Sequence, residues 1–279
     1  MLHYFKFRQD LFDPAPARDV YERRAAGRGW PEECPPIRAA NGFGWDLLAN
    51  FDLRLTRGKQ GWRIEPEVVV ESDWAWAPPA GGEERRLEQA YAWGWERGQT
   101  VPHRIDDHVF ERIKHQVKVQ SFLYLASDPN EVLLLTEVPN RDRRPWRALS
   151  ALIETDWYPA SYPWHCVLEL DPAARRVEIA RGEPLCRVIP LRRDTYFAQA
   201  MSPDAFDRFF ARGQDWLAMH GKLPAGHGES APPLAEVPPG RKPRRARKAA
   251  AGHEADPGLR DITRTYTRQQ VRSRFLVLP

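Results

Sequence analysis

Alternating apolar and polar residues dominate the middle of the chain and predict β-strands. From Phe51 to Ile64, apolar side chains recur at every second position on either side of a turn at 57–61, which predicts a β-hairpin. Downstream, short apolar runs are separated by turn sequences at 128–130 and 171–172, a spacing typical of antiparallel sandwiches and barrels. The strands predicted there are 117–126, 131–138, 148–156, 163–170, 175–180 and 184–191.

An amphipathic helix is predicted near the C-terminus. Ser202 is a suitable N-cap, Pro203 suits the first helical position, and Asp204 complements the positive end of the helix dipole. The apolar residues that follow at helical spacing are Phe206, Phe209, Phe210, Trp216 and Leu217. We expect this helix to end near Gly221. Weaker patterns predict short helices at 17–26 and 83–95.

Together these elements predict a mainly β (α+β) fold. We expect an antiparallel sandwich or barrel-like sheet with one C-terminal amphipathic helix packed on it. The main domain is predicted over 1–221. Residues 222–258 are rich in Pro, Gly and Ala and too poor in apolar side chains to offset the entropy of ordering, so they predict a disordered linker. Residues 259–279 contain a predicted strand that could rejoin the main domain.

Charge is distributed unevenly along the chain. The net charge is +4, but the segment from Lys222 onward carries 12 Lys and Arg against 5 Asp and Glu, so the main domain is mildly acidic. The linker contains a basic run at 241–248. This run lacks aromatic residues that would stack on bases, so nucleic-acid binding through it is disfavoured against a solvated linker.

Cysteine usage and hydropathy indicate a cytoplasmic protein. Three cysteines do not form a disulfide framework and fit a reducing compartment. The first ten residues have no apolar run of signal-peptide length, and no run of 18 apolar residues predicts a transmembrane segment. The oligomeric state stays open.

Four motifs occur in a recognisable order: NGFGWDL at 41–47, EVPN at 137–140, IETDWYP at 153–159 and RGEPLCRVIPLR at 181–192. Over about 37–200 the chain resembles a bacterial family catalogued only as a domain of unknown function. That family shows a G-P-P-N-like loop, then V-E-T-D-W, an aromatic strand and G-E-P-x-C. Here EVPN replaces the glycine-containing loop. The resemblance implies a single bacterial β-rich domain and brings no activity.

The most distinctive residues within or near these motifs are the candidates for ligand binding: Asn140, Glu154, Asp156, Trp157, Trp164 and Glu183. In a strand, Glu154 and Asp156 would point to the same face, where two carboxylates could act as an acid–base pair or hold a cation. In the alternative, Asp156 caps the turn at 157–159 and Glu154 pairs with an arginine. Glu183 could instead bond backbone amides in its Gly-Glu-Pro turn.

Imidazole and carboxylate groups are common metal ligands, so a divalent metal site is one hypothesis for this chain. His108, His165 and Asp156 are the candidate ligands for non-haem iron or zinc. Their spacing matches no established metal-binding motif, so histidines without a metal are the alternative. Cys186 is predicted to be a buried small apolar residue; as a nucleophile it would need a partner histidine, for which His165 and His108 are the candidates.

Two functional hypotheses stay open. Sequence motifs for phosphate-binding loops, dinucleotide binding, hydrolase elbows and paired zinc knuckles are absent. We therefore favour a small-molecule or peptide binding or accessory protein with an aromatic-lined pocket. The alternative is a metal-dependent enzyme that acts on a small molecule or peptide.

Overall fold

The computed structural model describes residues 1–18, 35–59, 61–77, 81–101, 103–158, 162–194 and 199–219. The helices in these residues are α1 (Pro35–Asn41), α2 (Asp107–Ile113) and α3 (Pro203–Met219). The strands are β1 (Leu2–Lys6), β2 (Ala15–Pro16), β3 (Trp45–Leu48), β4 (Leu53–Gly58), β5 (Gly61–Glu65), β6 (Val69–Trp76), β7 (Arg85–Ala90), β8 (Ala92–Gly94), β9 (Gln116–Ser127), β10 (Glu131–Thr136), β11 (Trp146–Ala148), β12 (Ala151–Ile153), β13 (Trp164–Leu170), β14 (Arg176–Ile179) and β15 (Pro184–Arg192).

The described strands pair in antiparallel fashion and form a sandwich-like arrangement, as predicted. Sheet A has the order β1-β9-β13-β11, with β8 also paired to β9, and sheet B has the order β12-β10-β15-β3-β2. Two smaller sheets, β14-β4-β5 and β6-β7, complete the described sheets. One hydrophobic core contains side chains from both large sheets, including the fully buried Leu168, Leu133 and Val188.

One face of sheet A packs on the hydrophobic core; we call the opposite face the outer face, although Lys118 and Gln120 on it are also buried. Val117 and Val119 of β9 and Leu168 of β13 are almost completely buried in the core. Because successive side chains of a strand point to opposite faces, Lys118 and His165 lie on the outer face. This face carries the polar and aromatic residues described below.

Most predicted strands are confirmed. The hairpin forms between β4 and β5, with Leu55 opposite Ile64. The segments 117–126, 131–138, 163–170, 175–180 and 184–191 correspond to β9, β10, β13, β14 and β15.

Two predictions about regular structure are wrong. Residues 148–156 do not form one strand, because β11 pairs with β13 in sheet A whereas β12 pairs with β10 in sheet B. The chain changes sheets at Leu149 and Ser150, and it turns after Ile153. The segment 83–95 forms β7 and β8 rather than a helix, because pairing with β6 and β9 outweighs a weak local helix preference.

The C-terminal helix is confirmed as α3, with Ser202 as its N-cap: the Ala205 N–H donates to Ser202 Oγ at 3.3 Å. It belongs to a compact unit separate from that of the strands. Phe206 stacks on Phe210, and both rings are about half exposed. The packing of α3 on the sheet stays a prediction.

Several predicted segments lie outside the described residues. They are most of 17–26, the end of α3 at Gly221, the linker 222–258 with its basic run, and the segment 259–279. None of the described helices is long and apolar enough to cross a membrane.

Candidate functional site

Three of the four motifs converge on one cleft of about 270 Å³. Asn41 and Asp46 come from the first motif, Asn140 from the second, and Pro184 and Arg187 from the fourth. We call this site the motif cleft. Residues nearly 150 positions apart in the chain meet here because β15 pairs with β3, with Arg187 opposite Asp46.

The charge at the centre of the motif cleft is fully partnered. Arg187 is 1% exposed, and its Nε donates to Asp46 Oδ1 at 2.5 Å. One terminal nitrogen of Arg187 also donates to the carbonyl oxygens of Phe43 and Ala40, at 2.8 and 3.1 Å. A buried charge needs such partners to offset the loss of hydration. Arg187 therefore holds the connection between α1 and β3 in place.

Backbone geometry explains two further motif residues. Gly44 has φ +97°, and a Cβ placed there would lie 2.6 Å from the Val188 carbonyl oxygen, so only glycine fits. Asn140 also has a positive φ, +56°, and its Nδ2 donates to Asn41 Oδ1 at 2.8 Å. These residues shape the walls of the motif cleft.

Glu183 stabilises the turn before β15. Its Oε2 accepts a hydrogen bond from the Ala180 N–H at 3.1 Å, and its carboxylate pairs with Arg144. Gly182 supplies the positive φ of +83° that the turn requires. The predicted bond from Glu183 to a backbone amide is confirmed.

Glu154 and Asp156 do not share a strand face, because they lie in the turn after β12. Both bind one arginine: Arg193 donates to Asp156 at 2.7 and 2.8 Å and to Glu154 at 2.8 Å. The hydrogen bond and charge of Arg193 lower the pKa of Asp156. Trp157 is 64% exposed, and its Nε1 donates to Glu154. The alternative in which Glu154 pairs with an arginine is confirmed.

The three candidate metal ligands are not brought together. His108 is exposed on α2, His165 lies on β13, and Asp156 binds Arg193. Within the described part of the chain, no three His, Cys, Asp or Glu side chains form a metal-binding group. The separation follows from the fold, because α2, β13 and the turn after β12 present their side chains to different surroundings.

A second site lies on the outer face of sheet A, where aromatic side chains surround one lysine. Strand pairing places Trp93 of β8 opposite Lys118 of β9, while His165 of β13 lies opposite Gln120. The Trp93 and His165 rings are 5.1 Å apart, and Tyr162 lies 6.5 Å from His165. We call this site the aromatic face; its members are Trp93, Trp95, Lys118, Tyr162, Trp164 and His165.

Lys118 is the electrostatic centre of the aromatic face. Its ammonium lies 3.2 Å from the centre of the Trp95 ring and 5.7 Å from that of Trp93. The residue is 7% exposed, and burial lowers the pKa of its amine, with no carboxylate acting against this effect. Among the described residues, Lys118 has no ion pair and no hydrogen bond from its ammonium.

The neighbouring histidine is held in its neutral form. Burial and, to a smaller extent, the nearby charge of Lys118 lower the pKa of His165 to about 4. Near neutral pH the imidazole therefore adds no positive charge beside Lys118. It can donate one hydrogen bond and accept another.

Trp164 forms the inner border of the aromatic face. Its ring lies 5.8 Å from Tyr162 and packs partly against the hydrophobic core. Of the six candidate ligand residues, only Trp164 belongs to the aromatic face, and only Asn140 lines the motif cleft.

Sequence reasoning missed Lys118, Trp93 and Trp95. A signal was present in Gln116, Lys118 and Gln120, whose alternation within an apolar strand predicts one polar face. Both tryptophans lie in or at the end of the helix predicted over 83–95, which does not form. Their position beside Lys118 depends on the pairing of β8 with β9, which no local pattern encodes.

Comparisons with known proteins identify no family for this chain. No family model matches it, and no curated protein matches it. Among solved structures, an EIAV dUTPase is 9% identical, with a TM-score of 0.28 over 73% of this chain and 98% of the dUTPase. A mutant dUTPase from phage phi11 of S. aureus is 8% identical, with a TM-score of 0.32 over 72% of this chain and 97% of the dUTPase. Structural similarity with TM-scores this low does not support any conclusion about function.

Proposed function

We propose that this protein binds a small molecule that has a planar, unsaturated ring and a carboxylate or similar anionic group. The binding site is the aromatic face. One observation carries the proposal: Lys118 is buried among aromatic rings with no acidic partner in the described residues. Charged side chains are rarely buried without a partner, so the missing counter-charge points to a ligand.

The aromatic rings alone do not satisfy the Lys118 ammonium. A cation–π contact contributes about 0.5–2 kcal/mol, but it provides no acceptor for the three N–H donors. An anionic ligand would supply a charge-assisted hydrogen bond, which is roughly twice as strong as a neutral one.

The surrounding rings fit the apolar part of such a ligand. Trp93, Trp95 and His165 are half-buried, and Tyr162 is exposed, so each retains ring surface that a ligand can cover. Planar ligands gain both buried area and ring–ring contacts against such a surface. Because His165 is neutral, it does not repel the Lys118 ammonium, and it can add one directional hydrogen bond to the ligand.

Matched probes test the proposal. In ¹H–¹⁵N spectra, naphthalene-2-carboxylate is expected to shift the indole N–H signals of Trp93 and Trp95. Naphthalene-2-carboxamide, which has the same ring without the charge, should bind at least about tenfold more weakly, since a charged hydrogen bond contributes more than about 1.4 kcal/mol.

The variant Lys118→Met should remove the preference for the carboxylate, whereas the control Lys59→Met, at an exposed hairpin lysine, should retain it. Equal affinity for both probes, or an unchanged preference in Lys118→Met, would overturn the proposal.

A further inference from the structure

A cleft of about 540 Å³ lies where β9 and β11 begin and β13 ends. Four arginines line it, and we call it the arginine cleft. Arg112 comes from the last turn of α2, Arg143 and Arg144 from the loop before β11, and Arg147 from β11 itself. Three separate segments of the chain thus direct guanidinium groups into one concavity.

Two of the four guanidinium groups are paired within the protein. Arg147 Nε donates to Glu169 Oε2 at 2.8 Å, and Arg144 pairs with Glu183. By contrast, Arg112 and Arg143 are exposed, and neither has an ion pair or a hydrogen bond with any described residue. Their donors remain available to a ligand.

His115 adds a neutral donor to the arginine cleft. Its Nδ1 accepts a hydrogen bond from Trp62 Nε1 at 3.1 Å, so the proton of the neutral ring is on Nε2. Burial, followed by the charges of Lys114 and Arg57, lowers the pKa of His115. The ring therefore stays neutral near pH 7 and presents an N–H.

We propose that the arginine cleft binds the phosphate group of a small phosphorylated molecule. Planar guanidinium groups donate two parallel hydrogen bonds to phosphate oxygens, and no described residue occupies these donors of Arg112 and Arg143. The cleft is large enough to enclose a phosphate together with part of an organic group.

The carboxylates in the lining favour a small ligand over nucleic acid. Glu169 is neutralised by Arg147, and Asp171 Oδ1 accepts from the Ala173 N–H at 2.8 Å, but Glu137 remains a negative charge in the lining. An extended chain of phosphates would be repelled where it passed Glu137, whereas one compact phosphate has fewer negative oxygens to place near that carboxylate.

Calorimetry with inorganic pyrophosphate at low ionic strength tests this proposal on the full chain. We expect binding to weaken at least about tenfold when Arg112→Gln and Arg143→Gln are combined. Because these side chains are exposed and pair with no residue in the described ranges, the double variant should fold normally, which thermal unfolding checks. The control Arg104→Gln, at another exposed arginine, should bind as the unmodified protein does.

The outcomes separate this site from the aromatic face. Lys118→Met should leave pyrophosphate binding unchanged, so a failure at one site does not decide the other. Absence of binding at millimolar pyrophosphate, or equal binding by the double variant, would overturn the proposal. Tighter binding of a single-stranded oligonucleotide, lost in the same double variant, would overturn it in favour of nucleic acid.

Discussion

Arg187 and Lys118 are both buried cations on neighbouring sheets, yet their surroundings differ. Arg187, in the motif cleft, binds Asp46 and two backbone carbonyls. The Lys118 ammonium, on the aromatic face, lies against the Trp95 and Trp93 rings and has no ion pair or hydrogen bond with the described residues. A cation whose hydrogen bonds are satisfied internally serves the fold. A cation without them keeps donors that a ligand could use, which is the basis of the binding site proposed for Lys118.

The largest effect is expected where the internal pairing is removed. Asp46→Ala leaves the Arg187 charge buried without its carboxylate, which should lower the free energy of unfolding by about 3–5 kcal/mol. Urea denaturation measures the loss. Glu71→Ala breaks the exposed pair with Arg86 and serves as the control, with little change expected. A loss no larger than that of the control would mean that Arg187 does not hold the fold.

The backbone of the motif cleft should be nearly as sensitive. Gly44→Ala forces a Cβ to 2.6 Å from a carbonyl oxygen at a positive φ, so we expect a loss of about 2–3 kcal/mol. Gly94→Ala is the matched control, because its Cβ would meet no atom within 4 Å. Equal stability of the two variants would contradict this role of the NGFG sequence.

On the aromatic face, His165 should make stability depend on pH. Its pKa is about 4 in the folded protein and near 6.5 in the unfolded chain. Between these values the unfolded chain binds more protons, so stability should fall as the pH falls from 6.5 to 4. Allowing for partial exposure, the loss is on the order of 2 kcal/mol.

His165→Gln cannot titrate and should lose less stability than the unmodified protein over the same pH range, as measured by urea denaturation at pH 7 and pH 4.5. Parallel losses in the two proteins would show that His165 does not have a lowered pKa.

The smallest effect is expected for Lys118→Met. Methionine packs well against tryptophan rings and removes the unpaired charge, so the free energy of unfolding should stay the same or rise by up to about 1 kcal/mol. A loss of more than about 2 kcal/mol would instead place Lys118 beside Arg187 as a structural residue.

The sequence predicted the fold better than the site, and particular residues show why. Alternation is a local property, so it identified β9 and β13, and the Gly-Glu-Pro turn identified the backbone bond of Glu183. The prediction of one strand over 148–156 was wrong because the chain passes from sheet A to sheet B within this segment. Lys118 is a candidate binding residue because Trp93 and His165 lie beside it, and these residues come together only through the register of their strands.

The difference between local patterns and contacts set by strand pairing also explains why the three predicted metal ligands do not come together. His108, His165 and Asp156 have suitable chemistry, but chemistry without register does not assemble a site, and Asp156 is bound by Arg193. Local turns and caps were predictable because their partners lie within a few residues. Contacts between strands were not.

The most direct test of the central claim is the pKa of the Lys118 amine, measured by NMR with selectively labelled lysine. In the free protein we expect a pKa below the usual 10.5, because the ammonium is buried and no described carboxylate offsets that burial. Saturating naphthalene-2-carboxylate should raise it, since an anion stabilises the protonated form. A pKa of about 10.5 in the free protein, unchanged by naphthalene-2-carboxylate, would contradict the claim that Lys118 binds an anionic ligand.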